Sequence, residues 1–245
     1  MKKHIPNTLT LCNLLCGSVA VAQIINNNIL LACGFILLAG IFDLFDGMVA
    51  RALRVSSPIG VELDSLADML SFGFVPGFIA YRLMKCEMLV LTNVLPEWLL
   101  ANLPFTGFLV TAFSALRLAK FNISKENTIY FTGVPTPANA LFWTAMLMVY
   151  WHHDIVVLPG SFYAIVFHPL TLIVLTLVMS YLLVSPLKLF TLKFKSLKNV
   201  GQYWHIFTVI WIVLILLYFI GITAIPITIL IAYPLTSWLK FRKIK

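Results

Sequence analysis

Apolar residues in this chain fall in long, nearly unbroken runs, unlike the alternating pattern of half-buried strands or the one-sided stripe of soluble helices. Runs of about twenty residues, the length that carries an α-helix across a bilayer's hydrocarbon core, lie at about 8–25, 29–51, 60–83, 98–119, 134–151, 163–185, 204–220 and 223–239. Short polar or turn-forming pieces divide them: NNN at 26–28, RVSSP at 54–58, SKEN at 124–127, HHD at 152–154 and KFKSLKN at 193–199. The pattern predicts an all-α, polytopic membrane helix bundle of about eight transmembrane helices. It forms one integral-membrane domain over residues 1–245, with a six-helix core at 1–185 and two additional C-terminal helices at 204–239. The first run contains Asn7, Asn13 and Gln23 and lacks a small-residue cleavage site, so it reads as a mature segment and not a signal peptide.

Composition agrees. The chain is 61% apolar and 11% charged, with a mean hydropathy of +0.98, against roughly 45–50% and about 25% in soluble domains. Charge then orients the bundle. With the N-terminus in the cytoplasm and eight alternating helices, one side receives Lys2, Lys3, Arg51, Arg54, Arg117, Lys120, Lys125, Lys188, Lys193, Lys195, Lys198, Lys240, Arg242, Lys243 and Lys245. The other side receives Arg82 and Lys85. This bias predicts cytoplasmic termini and a protein of the cytoplasmic (inner) membrane. The net charge of +8 then reports topology and contact with anionic lipid headgroups. Basic residues scattered over several loops offer no face to a nucleic acid. The four cysteines, Cys12, Cys16, Cys33 and Cys86, lie in or beside apolar runs without CxxC spacing and read as reduced packing residues.

Against this background the acids are unevenly spread. Five of the nine, Asp43, Asp46, Glu62, Asp64 and Asp68, fall between residues 42 and 70. Asp43 and Asp46 are spaced i, i+3 near the inner end of the second helix, roughly 7–12 Å from it at 1.5 Å per residue. Gly47 and Ala50 continue that face. Gly60, Asp64 and Asp68 form an i, i+4, i+8 stripe on the third helix, which runs antiparallel to the second, so the two acidic faces meet at similar depth. An Asp near mid-membrane costs about 2.5–3.5 kcal/mol, and four facing carboxylates repel. Hard cations, Mg²⁺ or Mn²⁺, relieve both costs, and four aspartates suffice for two such ions bridging a phosphate. Small residues admit a flat ligand, and Arg51 offers a fixed positive charge to a phosphate. The bland alternative, helix-end acids paired with Arg51 and Arg54, supplies two cations for four carboxylates. A cation or proton transporter is a second alternative, although the acids lie toward one face and have no second copy.

The residues Asp43-x₂-Asp46-Gly47-x₂-Ala50-Arg51-x₈-Gly60-x₃-Asp64-x₃-Asp68 resemble the signature of the CDP-alcohol phosphatidyltransferases at every fixed position. The resemblance implies that 1–185 is a catalytic core which moves a phosphatidyl group from CDP-diacylglycerol to an alcohol, releasing CMP with divalent metal. It implies that Asp43, Asp46 and Asp64 ligate metal. Asp68 is implied as the general base and as a contact of the second ion. Gly47, Ala50 and Gly60 are implied to line the cytidine nucleotide, and Arg51 to hold the pyrophosphate. The family likeness also implies a homodimer among membrane lipids, with its active site facing the cytoplasm.

Further stretches resemble the phosphatidylserine synthase branch of that family: IPNTLTLCNLLCG at 5–17, LDSLADMLSFGFVPG at 63–77, ALRLAKFN at 115–122 and FTGVPTPANA at 131–140. Lys120 stands where that branch has Arg. The implied acceptor is L-serine, with the sister acceptors glycerol 3-phosphate and inositol as the alternative. Arg117 either clamps the acceptor's carboxylate or is a positive-inside, snorkelling residue. Asn13 either borders the nucleotide or makes a polar interhelical contact. Ser71 is expected to hydrogen-bond a helix carbonyl. His152, His153 and Trp238 read as loop or interface residues, and Glu62 has no assigned role.

Overall fold

The structure, a computed structural model, describes residues 4–55, 57–123, 130–151, 160–186 and 188–190. The expected helices at 204–220 and 223–239, the His152–His153 loop, SKEN and Trp238 lie outside the described residues.

Helix α1 (His4–Ile25) and helix α2 (Ile29–Leu53) form an antiparallel pair joined at Asn26–Asn28. Asn27 adopts φ +60° at the turn, a left-handed conformation that asparagine tolerates better than most residues. At its other end α2 closes in a Schellman arrangement. Arg54 is left-handed at φ +51°, its N–H donates to Arg51 O, and the Val55 N–H donates to Ala50 O. Ser57 then caps α3 by accepting the Gly60 N–H at 3.0 Å, with Pro58 at the first helical position. One polar turn therefore reverses the chain between the two acidic stretches.

Helix α3 runs from Pro58 to Leu91, past the expected limit at 83. The polar Arg82, Lys85 and Glu87 lower the hydropathy without breaking the backbone. Within α3, Met69–Phe74 forms a π-helical turn immediately after Asp68. Helix α4 spans Glu97–Ile123 and α5 spans Thr136–Trp151. The expected sixth span at 163–185 is divided. Helix α6 (Gly160–Val166) ends before His168, whose ring accepts the Leu170 N–H, and Pro169 opens α7 (Pro169–Val184).

Beside the helices, the described residues hold one short ladder that the sequence reading did not expect. β1 (Tyr130–Thr132) pairs antiparallel with β2 (Lys188–Phe190), Tyr130 opposite Phe190. Gly133, at φ +74°, ends β1, and the Val134 N–H donates to Leu182 O at 2.9 Å. Pro135 and Pro137 disfavour helix N-terminal to them, so the β-branched and aromatic residues before Gly133 adopt strand geometry instead.

Among the described residues four helices, α1 to α4, are long and apolar enough to cross a membrane; α7 is apolar but shorter. The core holds Ile24 of α1, Ile36 of α2, Ile79, Leu83 and Met84 of α3, Trp143 and Phe142 of α5, and Leu172 and Met179 of α7. The outward faces are equally apolar: Leu11, Leu15, Leu30, Leu37, Ile41 and Leu44 are exposed. Such surfaces suit lipid. A second, smaller layer of Cys16, Ala39, Phe72 and Ala140 joins α1, α2, α3 and α5. It forms the floor beneath the acids.

Candidate functional site

The turn at 54–57 folds the second acidic stretch back onto the first, and three carboxylates converge. Asp43 of α2 and Asp64 and Asp68 of α3 each bring an oxygen within 4.8 Å of the others. One Asp64 oxygen is fully buried. The carboxyl groups of Asp43 and Asp64 act on Asp68 most strongly, and that of Asp46 less so. An all-oxygen set of three carboxyl groups at this spacing fits a hard divalent cation and suits softer metals poorly.

Asp46 behaves differently. It is 6% exposed, and its Oδ2 accepts the Thr10 hydroxyl of α1 at 2.6 Å. Thr10 also donates to Pro6 O, a bifurcated arrangement that ties α1 to the acidic end of α2. Asp46 and Asp64 line a cleft of about 160 Å³ together with Pro6, Asn7, Thr10, Gly47, Ala50, Val55, Ser57, Gly60 and Val61. Three of the small residues singled out in the sequence thus share one cavity wall. Gly60 is small of necessity, because a Cβ there would stand 2.9 Å from Asn7 Oδ1 and 3.0 Å from Ser57 Oγ. Arg51, one turn beyond Gly47 on α2, folds its guanidinium back along the helix, 3.4 Å from where a Gly47 Cβ would be. A planar group in the cleft would therefore have carboxylates at one end and the Arg51 charge at its side.

Asn13 is fully buried and does not line the cleft. Its Nδ2 donates to Asp68 Oδ1 at 3.4 Å. The Ser71 hydroxyl donates to Asn13 O at 3.1 Å, the helix-carbonyl bond expected of Ser71. The helices meet closely here, since a Cβ on Gly17 would overlap Ser71. The π-helical turn after Asp68 is secured on its other flank by the Thr111 hydroxyl, which donates to Gly73 O. A widened turn next to the residue that must be aimed is a recurrent feature of functional helices.

Arg117 of α4 lies apart from the cleft and donates through Nη1 to the Thr136 hydroxyl at 3.5 Å, at the start of α5. Lys120 is exposed, as an anchor would be. Sequence reasoning gave no role to Asn7, Thr10 and Ser57. They fall within the stretches 5–17 and 54–58, and their polar side chains in otherwise apolar or turn segments were the available signal.

The chain is similar to known proteins over the stretch that holds these residues. The family model described as CDP-alcohol phosphatidyltransferase matches residues 3–174, which include every site residue above. The CDP-diacylglycerol–serine O-phosphatidyltransferase of Bacillus subtilis is 36% identical over 138 residues, covering 55% of this chain and 70% of that protein. The enzyme of the same name from Helicobacter pylori is 32% identical over 142 residues, 56% of this chain and 54% of its own length. The archaetidylserine synthase of Methanothermobacter thermautotrophicus is 31% identical over 139 residues, again 56% and 54%.

Proposed function

The chain belongs to the CDP-alcohol phosphatidyltransferase family, and from that premise we propose that it transfers a phosphatidyl group from CDP-diacylglycerol to the hydroxyl of L-serine, giving phosphatidylserine and CMP. The observation that carries the reading is the meeting of Asp43, Asp64 and Asp68 beside a cleft walled by Gly47, Ala50 and Gly60. The serine acceptor draws its support from the names of the relatives, each aligned over little more than half of this chain.

The cytidine lies in the cleft against Gly47, Ala50 and Gly60, with Asn7 and Thr10 as polar edges, and Arg51 meets the pyrophosphate. Asp43, Asp64, Asp68 and Asp46 together would hold divalent metal, Mg²⁺ or Mn²⁺ and in number two, which would offset the charge of the phosphates and of the departing CMP. The serine oxygen forms a bond to the phosphorus that bears diacylglycerol, and the bond from that phosphorus to the CMP oxygen breaks. The hydroxyl proton passes to Asp68, whose orientation is fixed by Asn13 and by the π-helical turn behind it. CMP leaves as a phosphate monoester. The acyl chains stay in lipid beside the exposed apolar faces of the bundle.

The wider setting follows the same reading. Residues 1–185 are the catalytic core of a bundle of about eight spans, to which 204–239 adds two. Both termini and the active site face the cytoplasm, in the inner membrane, and the unit is a homodimer. The positive-inside bias supports the orientation.

The test is CMP release by purified protein from CDP-diacylglycerol with Mg²⁺ or Mn²⁺, offering serine, glycerol 3-phosphate and inositol singly. Release with serine alone is expected. Release only with another acceptor keeps the metal-site reading and removes serine; none from folded protein removes the transferase reading. A second result follows from the cleft. Overpacking a filled wall costs about 1–3 kcal/mol. Gly60→Val should therefore raise the KM for CDP-diacylglycerol about ten- to a hundredfold while sparing the KM for the acceptor.

A further inference from the structure

Helix α1 carries polar side chains at intervals of three residues, Asn7, Thr10 and Asn13, in a largely apolar segment. The spacing keeps neighbouring members on one side of the helix. Each meets a different part of the acidic end of the bundle. Asn7 abuts Gly60, Thr10 donates to Asp46 of α2 at 2.6 Å, and Asn13 donates to Asp68 of α3 at 3.4 Å.

The other hydroxyls of α1 are satisfied within the helix. Thr8 donates to His4 O at 2.9 Å and Ser18 to Leu14 O at 3.0 Å, both on the exposed side. That back-bond to the preceding turn is the ordinary fate of a helical hydroxyl. Thr10 makes it as well, to Pro6 O at 3.1 Å, but its contact with Asp46 Oδ2 is the shorter one. A length of 2.6 Å belongs to hydroxyls that donate to a charged oxygen, about 2.5–2.7 Å. Thr10 is 3% exposed and Asp46 6%, so water hardly competes for the bond.

The consequence lies in where the bond turns the carboxyl group. Asp43, Asp64 and Asp68 converge, and Asp46 is not one of the three. With Oδ2 drawn to α1, Oδ1 is the oxygen left for a ligand, on the cleft wall that Asp46 shares with Asp64. Thr10 and Asn13 are three residues apart, roughly 4.5 Å along the axis at 1.5 Å per residue. Their bonds hold the Asp46 and Asp68 carboxyls at a comparable offset. The ions of two-metal sites stand about 3.5–4 Å apart, so the step along α1 suits such a pair. The level of α1 against α3 is itself fixed. Ser71 donates to Asn13 O at 3.1 Å, and Gly17 leaves no room for a side chain beside Ser71.

We propose that Thr10 is a positioning residue of the metal site, whose hydroxyl orients Asp46 and, with Asn13, sets the spacing at which the carboxyl groups receive cations. The inference rests on the metal reading of the aspartates given above. Thr10 ligates nothing itself. It acts through Asp46, by engaging one oxygen and thereby aiming the other. Hydrogen-bond partners behind a metal ligand are worth about 10- to 100-fold in affinity, and a neutral donor supplies this without adding charge to the site.

The test is a titration of the purified full-length protein with Mn²⁺ alone, after stripping with chelator, in which the EPR signal of free Mn²⁺ reports the amount bound. Thr10→Val keeps the shape and deletes the hydroxyl, and it should weaken Mn²⁺ binding about ten- to a hundredfold. Thr10→Ser restores the hydroxyl and should stay within about threefold of wild type, well inside that loss. A merely structural Thr10 predicts a lower Tm for Thr10→Val in chelator with Mn²⁺ affinity unchanged, and that result overturns the proposal. So does a Thr10→Ser variant that binds as poorly as Thr10→Val. If Thr10→Val does not fold, Thr10→Cys decides, because a thiol of similar size is a weak donor. Its Mn²⁺ affinity should fall about tenfold, and wild-type affinity in that variant overturns the proposal. Wild type that binds no Mn²⁺ would remove the metal reading itself, an outcome distinct from equal binding by wild type and Thr10→Val.

Discussion

Asp68→Asn is expected to lower kcat with serine by about a thousandfold, within the 10²–10⁴ range for loss of a positioned general base. The substitution preserves shape and retains an oxygen to accept from Asn13 Nδ2, which now donates to Asp68 Oδ1 at 3.4 Å. It removes what an amide cannot supply: a site for the acceptor's proton and one of the carboxylate charges of the metal-holding set. Because Asp68 does not line the cleft, the KM for CDP-diacylglycerol should stay within a few-fold of wild type. Initial rates at saturating serine, with the lipid substrate varied, measure both quantities. A kcat within tenfold of wild type would mean that another group takes the proton. A large rise in the lipid KM with kcat preserved would make Asp68 a binding residue instead.

Much of this site was legible before the structure, and the reason is periodicity. Asp64 and Asp68 at i, i+4 with Gly60 one turn earlier can share a face only if the segment is helical, and α3 is helical there. The turn that joins the acidic faces was legible for a similar reason, since Ser57-Pro58 is a helix start in any context. What could not be read was which neighbour each side chain chooses. Thr10 looked like one of several polar groups on an apolar helix, and nothing in α1 alone says that it bonds Asp46. Asn13, which the sequence left with two candidate roles, meets Asp68 and Ser71 where α1 crosses α3, through bonds to residues 55 and 58 positions away in sequence. The π-helical turn has no sequence mark that hydropathy registers. The β1–β2 pair was missed because three-residue strands lie below the resolution of any alternation count.

The clearest separation between pattern and structure concerns two aspartates one turn apart, and it yields predictions of opposite sign. Asp43 stands among like charges. At 4.8 Å and an effective dielectric near 20, each carboxylate pair costs about 3 kcal/mol before screening, and the half-buried setting of Asp43 reduces that further. Without metal, Asp43→Asn should therefore raise stability by about 1–2 kcal/mol, some 2–8 °C in Tm for a chain of this size. Asp46 is buried and bonded by Thr10 at 2.6 Å, so Asp46→Asn loses a charge-assisted hydrogen bond and should lower the Tm by a similar amount. Adding Mn²⁺ reverses the order for the first site. Wild type should gain about 2.7 kcal/mol at a hundred times Kd, while Asp43→Asn gains little and its serine-dependent CMP release is lost. Melting curves in detergent, with chelator and with Mn²⁺, read the stability changes without reference to turnover. If Asp43→Asn melts lower than wild type in chelator, its carboxylate is held by protein groups that outweigh the repulsion, and the cluster is a structural network. If it melts higher and no longer responds to Mn²⁺, the three carboxylates were placed at a cost to the fold that only a cation offsets.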